Sequence, residues 1–145
     1  IVQDKSYVDA EVIHDFDLQP NRMPKVLVQT AGHVSGIAYY YQPQNGDPAD
    51  CKVGVAIHKN YGGWFGFRGI ILLKNISCPT LKQKLPVDVV GINTEKRVEL
   101  LRLFGKWDWA FRDIVPVTKR YSKVQAEFFL APPDKRELKE EEDKC

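Results

Sequence analysis

The segment from Lys25 to Gln42, KVLVQTAGHVSGIAYYYQ, contains no Asp, Glu, Lys or Arg after its first position. Its apolar residues recur at the three- and four-residue spacing of a helix, and Pro24 precedes it at a position suited to a first helical turn. A helix that is apolar or small on every face is buried on every side. We therefore expect one long helix here, covered by other layers of structure.

Strands are predicted on both sides of this helix. Residues 9–18 alternate between two faces, which is typical of a strand. Two further apolar runs, 52–58 and 64–73, flank a Gly-containing turn and predict a β-hairpin. The second run is apolar on both faces, which indicates a central strand of the sheet.

Two helices are predicted in the second half of the chain. Residues 93–105 begin with Asn93 or Thr94 as a cap and end at Gly105. The other helix begins with Ser122 and Gln125 in the spacing of a capping box, and two prolines end it. The order strand, helix, hairpin, helices predicts an α+β fold. We expect one domain over residues 1–136 and a charged tail over residues 137–145.

Composition excludes several functional classes. A net charge of +2 is too small to indicate a nucleic-acid partner, and no apolar run reaches the ~18 residues of a membrane span. The three cysteines, Cys51, Cys78 and Cys145, are far apart and form no zinc motif, which favours a reducing, cytoplasmic location. The start shows no signal-peptide pattern and no initiator Met, so we expect a piece of a longer chain.

Arg68 lies in the middle of the apolar run WFGFRGIILL, where an unpaired guanidinium would be costly to bury. One interpretation is a structural salt bridge to Asp15 or Asp113. The other is an anion-binding site, because the arginine fork matches a carboxylate. Arg112 also lies beside apolar residues, whereas Arg136 taken alone is typical of a surface residue.

A polar strip crosses the predicted helix. Gln29, His33 and Tyr40 are spaced along one side of it, and such strips often line pockets. A histidine in this setting is more often a satisfied core residue than a ligand. The tryptophans Trp64, Trp107 and Trp109 suit either the core or stacking on a flat ligand. No nucleophile, phosphate-loop, dinucleotide or paired-histidine motif is present.

Three blocks of the chain resemble the methylmalonic aciduria and homocystinuria type C (CblC) family of cobalamin-processing proteins. The blocks are QPNRMPKVLVQTAGHVSGIAYYYQ, YGGWFGFRGIILL and WDWAFRDIVPVTKRYSKVQAEFFLAPPDKR. The resemblance implies a flavin-nitroreductase-like mixed sheet flanked by helices, of which this chain forms the C-terminal part. It also implies that the N-terminal portion, which supplies further strands and helices, is missing.

The resemblance implies removal of the upper axial ligand of cobalamins. Alkylcobalamins would lose their alkyl group to glutathione, and cyanocobalamin would be decyanated with a reduced flavin, FAD or FMN. A thiol oxidase side activity, a type D cobalamin-trafficking partner, a homodimer and a cytoplasmic location are further expectations. Two alternatives stay open: a non-catalytic cobalamin chaperone and a flavin reductase.

The same resemblance implies the site residues. No side chain of this chain would act as nucleophile or base, and no residue would ligate the metal. Ala56 stands where vertebrate members have a cysteine, and Gln19 replaces the first residue of a His-Pro-Asn-Arg pattern. The implied glutathione-binding residues are Arg68, Arg112 and Arg136, and the implied cobalamin-binding residues are Asp15, Val26, Leu27, Val28, Gln29, His33, Tyr40, Tyr41, Gln42, Ala56 and Phe67.

Overall fold

The computed structural model of the protein describes residues 9–47, 51–92 and 94–136. These residues form a mixed α/β structure with two small antiparallel sheets and three α-helices, which confirms the predicted α+β class. The elements are β1 (Ala10–His14), α1 (Val28–Val34), β2 (Tyr39–Tyr41), β3 (Val55–Ile57), β4 (Gly69–Leu73), α2 (Glu95–Gly105) and α3 (Lys123–Leu130), with 3₁₀ turns at Trp109–Asp113 and Pro133–Lys135.

The first sheet pairs β1 with β4 in antiparallel register, from Ala10 opposite Leu73 to His14 opposite Gly69. The strand predicted within residues 9–18 is therefore confirmed. The prediction of a central strand over 64–73 is wrong, since pairing begins only at Gly69 and the described part of this sheet has two strands. Val12 and Ile71 lie opposite each other, and both side chains are exposed, so one face of this sheet is uncovered in the described structure.

The long helix predicted over residues 25–42 is wrong, because α1 ends at Val34 and the chain turns at Gly36. Gly36 has a left-handed backbone (φ 79°), and a Cβ there would lie 2.3 Å from the Lys84 carbonyl oxygen. Only glycine tolerates that combination of dihedral and close approach. The first-turn role of Pro24 is also wrong, since Pro24 lies in an isolated bridge with Leu18 ahead of the helix.

The three consecutive tyrosines form β2, as their high strand propensity favours. This strand pairs antiparallel with β3, from Tyr39 opposite Ile57 to Tyr41 opposite Val55. The predicted hairpin between residues 52–58 and 64–73 is therefore wrong. Its turn survives only as a bridge between His58 and Gly62.

The core lies where the β2–β3 sheet meets α2. Thr94 caps α2 by accepting a hydrogen bond from the Arg97 N–H, and the helix ends at Gly105, which confirms that prediction. Asn93, the other predicted cap, is outside the described residues. Leu100 of α2 has no exposed surface. The largest fully buried side chains among the described residues are Tyr41, Ile57, Leu100 and Leu101.

Helix α3 begins with the predicted capping box. The Ser122 side chain accepts from the Gln125 N–H, and the Gln125 side chain accepts from the Ser122 N–H. The helix ends at Leu130, and its C-cap residue Ala131 is followed by the two prolines. The predicted tail over residues 137–145 lies outside the described residues.

Candidate functional site

A cleft of about 250 Å³ opens between the first turn of α1, strand β3 and the aromatic segment that follows the 58–62 turn. It brings together four predicted cobalamin-binding residues and one predicted glutathione-binding arginine, although they are up to 84 positions apart in the chain, from Val28 to Arg112. The cleft is lined by Val28, Gln29, Val55, Ala56, Gly63, Phe65, Gly66, Phe67, Phe104, Phe111 and Arg112.

Gln29 joins α1 to strand β3. Its amide nitrogen donates to the Gly54 carbonyl oxygen at 3.2 Å, and its amide oxygen accepts from the Ala56 N–H at 2.7 Å. The amide therefore makes the same kind of paired hydrogen bonds to the backbone at the edge of β3 that a neighbouring strand would make. The Gln29 side chain holds Ala56 against the cleft, and both ends of its amide are used within the protein.

His33 and Tyr40 are neighbours, but they do not share one helix. His33 is on α1, and its Nδ1 accepts a hydrogen bond from the backbone N–H of Tyr40 in β2 at 3.1 Å. The edge of the His33 ring also packs against Tyr39, with centroids 4.9 Å apart. Nδ1 of His33 is therefore used within the protein as a hydrogen-bond acceptor.

Tyr41 belongs to the core, since its side chain is 1% exposed. Its hydroxyl donates to Asp88 Oδ1 at 2.6 Å and accepts from the Val90 N–H at 3.0 Å. Burial, followed by the bond to Asp88, raises the pKa of Tyr41. Its ring is not accessible to a ligand in this structure. Of the other predicted residues around it, Gln42 is exposed, Leu27 is exposed, and Val26 is half-buried.

Arg68 is not buried, because its side chain is 77% exposed, so the premise that it lies within a buried strand is wrong. It pairs with Asp15 at 3.2 Å, which confirms the interpretation as a salt bridge. Asp15 Oδ1 is buried and has no hydrogen-bond partner within the described structure. A buried acceptor left unpaired is unfavourable, so this oxygen is suited to receive a donor from a ligand.

Arg112 lines the cleft and is half-buried. Its Nη1 donates to the Gly63 carbonyl oxygen, whereas its Nε is buried without a partner in the described structure. No carboxylate of the described residues pairs with it, and burial lowers its pKa. The guanidinium lies over four rings, which we call the aromatic box: Trp64, Trp109, Phe111 and Tyr121.

Arg136 is exposed, as its sequence context predicts. Its Nε donates to the Ala131 carbonyl oxygen at 3.1 Å, and its guanidinium lies 5.7 Å from the Phe128 ring centroid. Neither Arg136 nor Arg68 lines the cleft. The structure therefore places Arg112 at the cleft, Arg68 directly before β4, and Arg136 after α3.

Sequence reasoning missed a buried ion pair and six of the eleven residues that line the cleft. Arg97 is 4% exposed and binds both oxygens of Asp47 at 2.7 Å, and it also donates to the Gln42 carbonyl oxygen. No local pattern signals this pair, because its members are 50 positions apart. Phe65 and Phe104 of the cleft were likewise missed, although both lie in aromatic or apolar segments that indicate burial.

Within the parts of the chain that the structure describes, no group of three or more His, Cys, Asp and Glu residues is arranged to hold a metal ion. Within the same parts, no helix combines the length and the apolar character that crossing a bilayer requires.

Comparison with known proteins gives a consistent result. The model of the Methylmalonic aciduria and homocystinuria type C family matches residues 1–138. The proteins named cyanocobalamin reductase / alkylcobalamin dealkylase from Gallus gallus and Homo sapiens are 48% and 45% identical over 132 residues, which cover 87% of this chain and 55% and 46% of theirs. The crystal structure of a C. elegans B12-trafficking protein CblC, a human MMACHC homologue, is similar with a TM-score of 0.79 and 36% identity, over 88% of this chain and 53% of that one.

The sequence matches and the structural similarity indicate the same family. The chain spans about half the length of the curated relatives it matches. Because the family model extends over nearly all of its residues, the chain belongs to the Methylmalonic aciduria and homocystinuria type C family.

Proposed function

We propose that this chain forms part of a cobalamin-processing enzyme that removes the upper axial ligand of its substrate. The observation that carries the proposal is the cleft, where Gln29, Ala56 and Phe67 meet the unpaired cation Arg112. The names of the curated relatives, cyanocobalamin reductase / alkylcobalamin dealkylase, support the same reaction class. We therefore propose glutathione-dependent dealkylation of alkylcobalamins and reductive decyanation of cyanocobalamin.

The chemistry of the cleft suits one edge of a corrin. Phe65 and Phe67 provide apolar surface, with ring centroids 5.1 Å apart, and backbone groups of β3 lie beside them. Outside the cleft lining, the unpaired Oδ1 of Asp15, which pairs with Arg68 through its other oxygen, offers a further acceptor for an amide N–H of a substrate side chain. A cleft of about 250 Å³ is far smaller than cobalamin, so we propose that it binds part of the substrate.

Arg112 suits the other reactant. Glutathione carries carboxylates and a thiol, and a guanidinium without a carboxylate partner is available to bind one of the carboxylates. A neighbouring cation also favours the thiolate over the thiol. In the proposed step the thiolate sulfur attacks the cobalt-bound carbon, forming a thioether. The electron pair of the broken cobalt–carbon bond stays on cobalt, which leaves as cob(I)alamin, so no external reductant is needed.

The remaining expectations are proposals of the same kind. A flavin, FAD or FMN, would supply electrons for decyanation, and the phenylalanine lining of the cleft suits a planar ring system. We also propose a nitroreductase-like fold for the complete protein, with residues 1–136 in one domain. A type D partner, a homodimer and a cytoplasmic location are predicted by the resemblance of the sequence alone.

The test is the visible spectrum of methylcobalamin mixed with the 145-residue chain, before and after anaerobic addition of glutathione. We expect a bound-corrin spectrum first and conversion to cob(I)alamin after the thiol is added. Arg112→Gln should slow that conversion by about tenfold or more, because a charge-assisted contact of about 1.5–3 kcal/mol is lost.

The matched control is Arg102→Gln, which removes one arginine from an exposed pair with Glu99 on α2. This variant should convert methylcobalamin at the parent rate. A parent protein that binds cobalamin but gives no spectral change with glutathione would favour the chaperone alternative. If Arg112→Gln converts methylcobalamin as fast as the parent, the assignment of Arg112 to the site is refuted.

A further inference from the structure

Six arginines of the described residues are held in one of two ways. One group faces carboxylates, at distances no greater than the 3.2 Å of the Arg68–Asp15 pair. Arg112 and Arg136 instead donate to one backbone carbonyl oxygen each and lie over aromatic rings. The carboxylate-paired arginines are Arg68, Arg97, Arg102 and Arg120.

The aromatic box surrounds the Arg112 guanidinium closely. The guanidinium carbon is 4.6 Å from the Trp109 centroid, 5.5 Å from Trp64 and 5.4 Å from Tyr121. These three rings also contact one another edge to face, with centroids between 5.4 and 6.5 Å apart. The box is therefore a packed unit whose members support each other.

Two rings of the aromatic box, Trp64 and Tyr121, also contact residues outside it. The Trp64 indole N–H donates to Asp113 Oδ1 at 2.9 Å, and Arg120 binds the same oxygen at 2.9 Å. Tyr121 packs against Phe129 of α3 at 5.3 Å. The orientation of the rings is thus determined by contacts that do not involve Arg112.

Ring faces and carboxylates stabilise a guanidinium with different consequences. A carboxylate neutralises the charge and occupies the donor fork, whereas a ring face attracts the cation and leaves both its charge and its N–H groups available. The buried, unpartnered Nε of Arg112 fits the second case. We propose that Trp64, Trp109 and Tyr121 are positioning residues that hold Arg112 at the cleft, without a carboxylate partner, for a carboxylate group of the thiol cosubstrate.

This inference rests on the proposed function for the identity of the ligand, but the holding of Arg112 is tested independently. The Arg112 Nε–H resonance, assigned by its loss in Arg112→Lys, reports the environment of the guanidinium in the absence of any ligand. Replacing a box ring by leucine should move this resonance and speed its exchange with solvent. A resonance unchanged in Trp109→Leu and in Tyr121→Leu would overturn the proposal.

Glutathione binding provides the second readout, measured calorimetrically on the full chain. Trp109→Leu and Tyr121→Leu should each weaken binding by about tenfold, the range expected for a desolvated cation–π contact. Trp109→Phe should fall between leucine and parent, because a phenyl face attracts a cation less than an indole. Tyr121→Phe keeps the ring but removes a hydroxyl that also favours the Arg112 cation, so its affinity should fall between those of Tyr121→Leu and the parent.

The control is Trp107→Leu, which removes a tryptophan that is 78% exposed and packs on Phe104 rather than on Arg112. It should bind glutathione like the parent. If a leucine variant fails to fold, the glutathione affinities of the parent and Trp109→Phe still test the proposal. Equal affinities of these two proteins would overturn it. A parent chain that does not bind glutathione would refute the proposed function, while the Nε–H resonance would still show whether the box holds Arg112.

Discussion

Tyr41 is the predicted site residue whose role the structure changes most, and Tyr41→Phe isolates that role. The substitution keeps the ring in the core and removes only the hydroxyl. That hydroxyl accepts from the Val90 N–H and donates to Asp88. If Tyr41 serves the core rather than a ligand, the variant should lose stability and not substrate affinity.

The magnitude follows from what each partner loses. Val90 is buried, so its N–H would be left without an acceptor at a cost of about 1–3 kcal/mol. Asp88 is exposed and still accepts from the N–H groups of Gly91 at 2.7 Å and Ile92 at 3.0 Å, so losing the hydrogen bond from Tyr41 costs it little. We therefore expect the free energy of unfolding to fall by about 2 kcal/mol.

Urea unfolding followed by circular dichroism measures this change. With a denaturant slope of about 2 kcal/mol/M, the midpoint should fall by about 1 M while the slope stays constant. Tyr61→Phe, at an exposed tyrosine that stacks on His58, is the matched control and should leave the midpoint unchanged. A Tyr41→Phe midpoint equal to the parent's, or a selective loss of cobalamin binding, would refute this reasoning.

Three further outcomes follow from the same contacts. Because burial raises the pKa of Tyr41 above its ordinary value of 10.0, the parent should lose stability as the pH rises above about 10, and Tyr41→Phe should lack this alkaline loss. Gly32→Ala should destabilise the protein by about 1–3 kcal/mol in urea titrations, since the new Cβ would lie 2.1 Å from the Phe67 ring, and it should also change cobalamin affinity by moving that ring in the cleft. Asp47→Asn should cost about 3 kcal/mol or more of unfolding free energy by leaving the buried Arg97 charge uncompensated. The hydrogen bond from Arg97 lowers the pKa of Asp47 below its ordinary value of 3.8, so the pair should stabilise the parent fully above pH 3.8 and lose this stabilisation as the pH falls further. Acid unfolding should show this loss in the parent and not in Asp47→Asn.

Local signals correctly predicted the ends of α2 and α3, although not those of α1. The Thr94 cap, the end of α2 at Gly105 and the Ser122 capping box are confirmed, because each depends on side chains within a few residues of the helix terminus. The strand at Ala10–His14 followed from its alternation alone. The family also followed from the order of three long sequence blocks, which no partner elsewhere in the chain could alter.

Contacts between distant segments decided the rest. The segment around Gly36 has the apolar spacing of a helix, yet the chain turns there, with Gly36 at φ 79° and the Lys84 carbonyl oxygen in the space that a side chain would need. Whether Arg68 was buried depended on what covered the neighbouring β1–β4 sheet, and one face of that sheet is uncovered in the described structure. For Arg112, the residue type and its neighbours in sequence suggested an anion site. Its aromatic surroundings could not be predicted, because they depend on rings such as Trp64 that are distant in the chain. Helix caps and strand alternation are short-range and can be read along the chain, whereas burial, charge pairing and the cleft arise only when the folded backbone brings those segments together.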